Sequence, residues 1–141
     1  MQRGRRLAFD FGDVRIGVAV CDPDGILASP LITLKTSDKN LSVTLHNLFE
    51  ECKPIAIYIG KPSNMDGSNG SAVSKVEIFG QLIATITDTP ISFIDERMST
   101  VSAARSMRES GVSAKAAKSR IDQAAAVAIL EFALSIEKNQ P

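Results

Sequence analysis

A change of period governs what this chain can fold into. Up to about residue 35 the apolar side chains fall in short extended runs; from Leu41 onward they recur every three or four residues, with single strand-like runs between. Leu7 to Phe11 reads as a buried strand interrupted by Asp10, with a turn at Gly12-Asp13. Ile16 to Cys21 reads as a second strand, closed by Asp22-Pro23-Asp24-Gly25. Ile26 to Lys35 is a third, and Pro30 confines it to a sheet edge. Leu41, Leu45, Leu48, Phe49 and Cys52 mark a helix that Ser37 or Asp38 can cap and Pro54 ends. Ile55 to Ile59 is a strand, Gly60 to Gly70 a loop, and Val73, Val76, Phe79, Ile83 and Ile86 a second helix. A strand follows at Ile91 to Ile94, then a helix from about Thr100 to Ser110 stopped by Gly111. In a last helix, capped by Ser113, the residues Ile121, Ala124, Ala125, Ala128, Phe132, Ala133 and Ile136 form the apolar stripe. The order β-β-β-α-β-α-β-α-α predicts a meander followed by parallel strands with helical crossovers. The expected fold class is α/β, one five-stranded mixed sheet flanked by helices in a single domain over residues 1–141, with flexible ends at 1–6 and 138–141.

Composition removes whole classes of function. No apolar run is long enough to span a bilayer. The basic start, Arg3, Arg5 and Arg6, is followed by an apolar stretch that Asp10 and Gly12 break at once, which rules out a signal-peptide core and favours the cytoplasm. Cys21 and Cys52 lack metal-type spacing and read as reduced, inert thiols. His46 stands alone, which disfavours a histidine-built zinc site. Net charge is zero, but its distribution is uneven: from Arg97 to Arg120 six basic residues face one acid, Glu109. Such a segment, with Arg105 and Arg108 at its centre, suits phosphates, or is simply a solvated face.

Three acids stand out. Asp10 lies in a strand with apolar residues on both faces, where a carboxylate is costly unless paired, for instance with Arg15, or bound to a metal. Gly12 and Gly17 nearby let a ligand approach. Glu96 follows a strand directly, where open α/β sheets place their sites. Asp122 borders the apolar stripe of the last helix, and alone is as well explained by an i, i+4 pair with Lys118. Taken together, the three are hard oxygen ligands suited to Mg²⁺ or Mn²⁺ and to phosphodiester hydrolysis.

Leu7-Ala8-Phe9-Asp10-Phe11-Gly12, Arg15-Ile16-Gly17-Val18-Ala19, Asp22-Pro23, Ala28-Ser29-Pro30, Asn64-Met65-Asp66-Gly67-Ser68 and Asp95-Glu96-Arg97-Met98-Ser99-Thr100 resemble the YqgF family. The likeness runs from about Leu7 to Glu137. It implies the ribonuclease H-like fold and a nuclease, one that matures the small-subunit ribosomal RNA precursor or resolves Holliday junctions. It implies Asp10, Glu96 and Asp122 as catalytic, metal-holding residues. It also implies substrate contacts at Asn64, Asp66, Arg97, Ser99 and Thr100, with Arg15, Lys61, Arg105 and Arg108 added as phosphate partners. The partners expected are nucleic acid, and ribosomal or transcription proteins, for a monomer or homodimer. Asp13-Val14, Lys61 and Ser63 depart from the family pattern without touching the three acids. Asp10-Phe11-Gly12 with Ile16-Gly17 also resembles the phosphate loop of sugar kinases and actin-like ATPases, which require a second domain. A non-cutting RNA-binding factor is the remaining alternative.

Overall fold

The structure, a computed structural model, describes residues 1–62, 70–96 and 115–140. Its sheet has the strand order β3-β2-β1-β4-β5. Strands β1 (Arg6–Phe11), β2 (Arg15–Cys21) and β3 (Ala28–Lys35) form an antiparallel meander, and β4 (Ala56–Lys61) and β5 (Ile91–Asp95) add to β1 in parallel. The central position of β1 explains its apolar residues on both faces, as the pattern predicted. β3 is an edge strand, and the pairing slips between Val18 and Ala19 opposite the Pro30 region. Among the described residues the helices are α1 (Leu41–Cys52), α2 (Gly70–Ile86) and α3 (Lys115–Lys138). Neither Ser37 nor Asp38 is the N-cap of α1; Asn40 holds that position, and Asp38 turns the chain just before it through a bond from the Asn40 amide. Lys53 ends α1 in the left-handed conformation, its N–H on the Phe49 carbonyl, and Pro54 prevents any continuation.

Period two along the strands separates two cores. Leu7, Phe9, Ile16, Val18, Ile57 and Ile59 point to α1 and α2, where Phe9 sits edge-on to Phe49 and Phe79. Ala8, Ala19 and Cys21 point the other way, to α3. That second layer is dominated by alanines, with Ala8 and Ala19 on the sheet and Ala125, Ala126, Ala128 and Ala133 on the helix, so α3 lies close to the strands. The buried face of α3 is turned from the expected stripe. Ala124 and Ile136 are exposed, whereas Ile129, Leu130 and Leu134 are buried, and the face begins and ends on acids, Asp122 and Glu137.

Arg6 is fully buried within β1, and Gly4 N–H donates to the Pro23 carbonyl. Arg6 bonds Glu137 through Nε and Nη2, and Glu137 also accepts from the Tyr58 hydroxyl at 2.5 Å. Glu137 is thereby anchored one residue before the stretch expected to fray. Arg6 is withdrawn from any phosphate-binding cluster, and Arg3 pairs with Asp24.

Candidate active site

Asp10 projects from the carboxyl end of β1 toward α3, on the face opposite Phe9 and Phe11. On either side of it the sheet carries a glycine. Gly17 is its partner in the antiparallel register, and one further step of the parallel register Phe9↔Ile59 brings Gly60 alongside. Both glycines are required by close approach. A Cβ on Gly17 would stand 2.1 Å from the backbone carbonyl oxygen of Asp122, so α3 itself fills the space a side chain would take. A Cβ on Gly60 would meet Ile129 Cδ1 at 2.5 Å and Glu96 Oε1 at 3.3 Å. Glu96 directly follows β5 and folds back over β4. Asp10, Asp122 and Glu96 are 1%, 1% and 6% exposed, so three carboxylates are taken out of water on one face at one end of the sheet. Such burial is strongly unfavourable without compensating charge.

Part of that compensation is Arg15, two residues before Gly17 and on the same face of β2. Its Nε donates to Asp122 Oδ2 at 2.8 Å. Gln123 beside Asp122 donates to Thr33 Oγ1 at 2.9 Å, which fixes α3 to the edge strand. Arg15 was expected to pair with Asp10 or to meet substrate. The structure pairs it with an acid 107 residues away in sequence.

Among the described residues no three His, Cys, Asp or Glu side chains are grouped closely enough to hold a metal ion. The expected convergence of Asp10, Glu96 and Asp122 is therefore a convergence on one face, not a ready-made coordination cluster, and the Asp122 carboxylate is engaged by Arg15. In kind the donors fit a hard divalent cation: buried carboxylate oxygens, with no nitrogen or sulfur ligand.

Lys61 lies in a strand and not in the expected loop. β4 extends through it, and its parity puts it on the α2 face, away from the acids. There its ammonium lies 3.7 Å from Glu77 and 5.4 Å from the centre of the Phe93 ring. Asn64, Asp66, Arg97, Ser99, Thr100, Arg105 and Arg108 lie outside the described residues, as does the expected helix at Thr100 to Ser110. The reading of single residues missed the other end of α3, where Arg6, Tyr58 and Glu137 join. Burial alone would push the Glu137 carboxyl up, but the bonds from Arg6 and Tyr58 and the Arg6 charge hold it below the ordinary range. Burial likewise raises the Tyr58 phenol, and the adjacent Glu137 adds to the effect. A groove of about 320 Å³ beside this group is lined by Tyr58, Ser92, Ile94 and Glu137, among others. The signal available was spacing: Glu137 follows Ala133 by four residues, in phase with Asp122, Ala126 and Ile129.

Comparison with known proteins agrees with this architecture. A protein of Streptomyces avermitilis named "Putative pre-16S rRNA nuclease" is 49% identical over 98% of this chain and 90% of its own length. A protein of the same name from Mycobacterium ulcerans is 47% identical over 92% of this chain and 77% of its own. In three dimensions the chain is similar to Thermus thermophilus RuvC, solved in complex with a Holliday junction substrate. The TM-score is 0.63 and each chain is covered to 96%; at 14% identity the likeness is one of fold, the ribonuclease H-like fold. A model of the RuvX family, described as Holliday junction resolvase, matches residues 4–136. With that match covering nearly its whole length, the chain belongs to the RuvX (YqgF) family.

Proposed function

We propose that this chain is a divalent-metal-dependent nuclease that cuts structured nucleic acid, with the precursor of 16S ribosomal RNA as its substrate. The observation that carries the reading is the burial of Asp10, Glu96 and Asp122 on one sheet face at its carboxyl end. Buried carboxylates are costly to a fold, and a divalent cation is the compensation that phosphodiester chemistry also uses. Asp10, Glu96 and Asp122 are the residues that would hold Mg²⁺ or Mn²⁺, and a bound ion supplies an activated water and neutralises charge on the phosphate. Gly17 and Gly60 let α3 and Glu96 pack close to the strand of Asp10, and Arg15 tempers the negative charge there.

The choice of RNA rests on the names of the relatives at 41% to 49% identity. The family description favours a four-way DNA junction instead. RNA trimming asks for one active copy, whereas a junction presents two equivalent strands and asks for a two-fold dimer. Work on ribosomal RNA would place the protein in the cytoplasm, beside ribosomal or transcription proteins; no described helix is long and apolar enough to cross a membrane. The deciding experiment incubates the protein with end-labelled pre-16S RNA, a four-way junction and linear duplex DNA, in Mg²⁺, Mn²⁺ or EDTA, with its mass followed by light scattering. Metal-dependent cutting of the RNA by a monomer is expected. Junction cutting by a dimer would replace the RNA assignment, and binding without cutting in either metal would reduce the protein to a binding factor.

A further inference from the structure

Arg15 and Asp122 form an ion pair of unequal burial: the aspartate side chain is 2% exposed and the arginine 23%. The Asp122 backbone is immobilised, because its carbonyl occupies the place of the absent Gly17 side chain and Gln123 is tied to Thr33. Asp10 and Glu96 lie buried on the same face as Asp122, with Arg15 at its edge. A guanidinium and a divalent ion can each compensate a buried carboxylate, and Arg15 does so for Asp122 in this structure.

We propose that Arg15 is a positioning residue that holds Asp122 in the absence of metal and competes with the divalent cation for it. A bound divalent cation would take over from the guanidinium the compensation of the Asp122 carboxylate. Arg15 thereby stabilises the empty site and weakens its metal affinity. The inference rests on the metal-site reading above, and the test separates the two.

The test uses the full chain with Mn²⁺ alone, titrated by calorimetry, and melting temperatures with and without saturating Mn²⁺. Arg15→Gln removes the competing charge. The expected result is Mn²⁺ binding about tenfold tighter than the parent's, the scale on which groups bordering a metal site alter its affinity. The variant should melt below the parent without metal and gain more from Mn²⁺. Arg15→Lys keeps a charge with a weaker grip and should fall between them, which guards against a folding defect in the first variant. Asp122→Asn should bind Mn²⁺ more weakly than the parent. Arg15→Gln binding Mn²⁺ no more tightly than the parent would overturn the proposal while leaving the metal site standing. No Mn²⁺ binding by the parent or by either Arg15 variant would overturn both.

Discussion

The two ends of the buried face of α3 use the same device for different purposes. At each, an acid on the buried helix face meets an arginine from a strand: Glu137 with Arg6, Asp122 with Arg15. At the Glu137 end the arginine is fully buried, gives two bonds to the carboxylate and spends Nη1 on the Gly4 carbonyl, while Tyr58 supplies another donor. That network is closed and ties the first strand to the end of the last helix. At the Asp122 end the arginine reaches solvent, and Asp10 and Glu96 lie buried on the same face. A buried ion pair is thus no marker of function. What distinguishes the site is that three acids are buried together on one face beside an arginine that still reaches solvent.

The largest effect that would break this comparison is at Arg6. Arg6→Met should cost about 3–5 kcal/mol, because Glu137 is left without its buried cation. Chemical denaturation measures it, and cleavage per folded molecule should be unchanged; a loss of cleavage in fully folded protein would mean that the two ends are coupled. Gly17→Ala comes next, at about 1–3 kcal/mol of overpacking. A methyl group there meets backbone of α3, which cannot yield as a side-chain tip would, so α3 moves and carries Asp122 with it. Stability and cleavage should fall together. Gly60→Ala, which meets the flexible end of Ile129, serves as the milder control. Tyr58→Phe should cost about 1.5 kcal/mol for one hydrogen bond to a charged acceptor, and leave cleavage alone. The smallest effect is on acid stability. Because the Glu137 pKa is lowered in the folded protein, its contribution is complete above the ordinary value of about 4.3 and is lost as pH falls through the lower folded value. Tyr58→Phe should flatten that part of a melting-temperature profile; a profile identical to the parent's would remove Glu137 from the account.

Local pattern carried the strands, the edge position of β3 and the two-faced burial of β1, since each follows from alternation, Pro30 and apolar neighbours within a few residues. It also carried the suspicion attached to Asp10, because a carboxylate in a central strand is anomalous wherever the strand sits. Pairings across the chain were not legible. Arg6 looked like part of a solvated arm because its partner Glu137 is 131 residues away. Arg15 was matched to the nearby Asp10 instead of Asp122 for the same reason. The stripe of α3 was misphased because charged residues were left out of it, although the true face is bounded by Asp122 and Glu137. Lys61 was assigned to a loop, and two more residues of strand, Gly60 and Lys61, decided which side of the sheet it faces.

The central claim is that the acids around Asp10 serve chemistry and the acid at Glu137 serves folding. Asp10→Asn tests it most directly, with cleavage of labelled RNA in Mg²⁺ and the melting temperature measured on the same preparation. The account predicts cleavage reduced by at least about a hundredfold, the scale on which lost charge stabilisation at a reacting centre is felt. It predicts that the variant stays folded, since the amide keeps the size and shape of the carboxylate. Cleavage at the parent rate by a folded Asp10→Asn protein would contradict it.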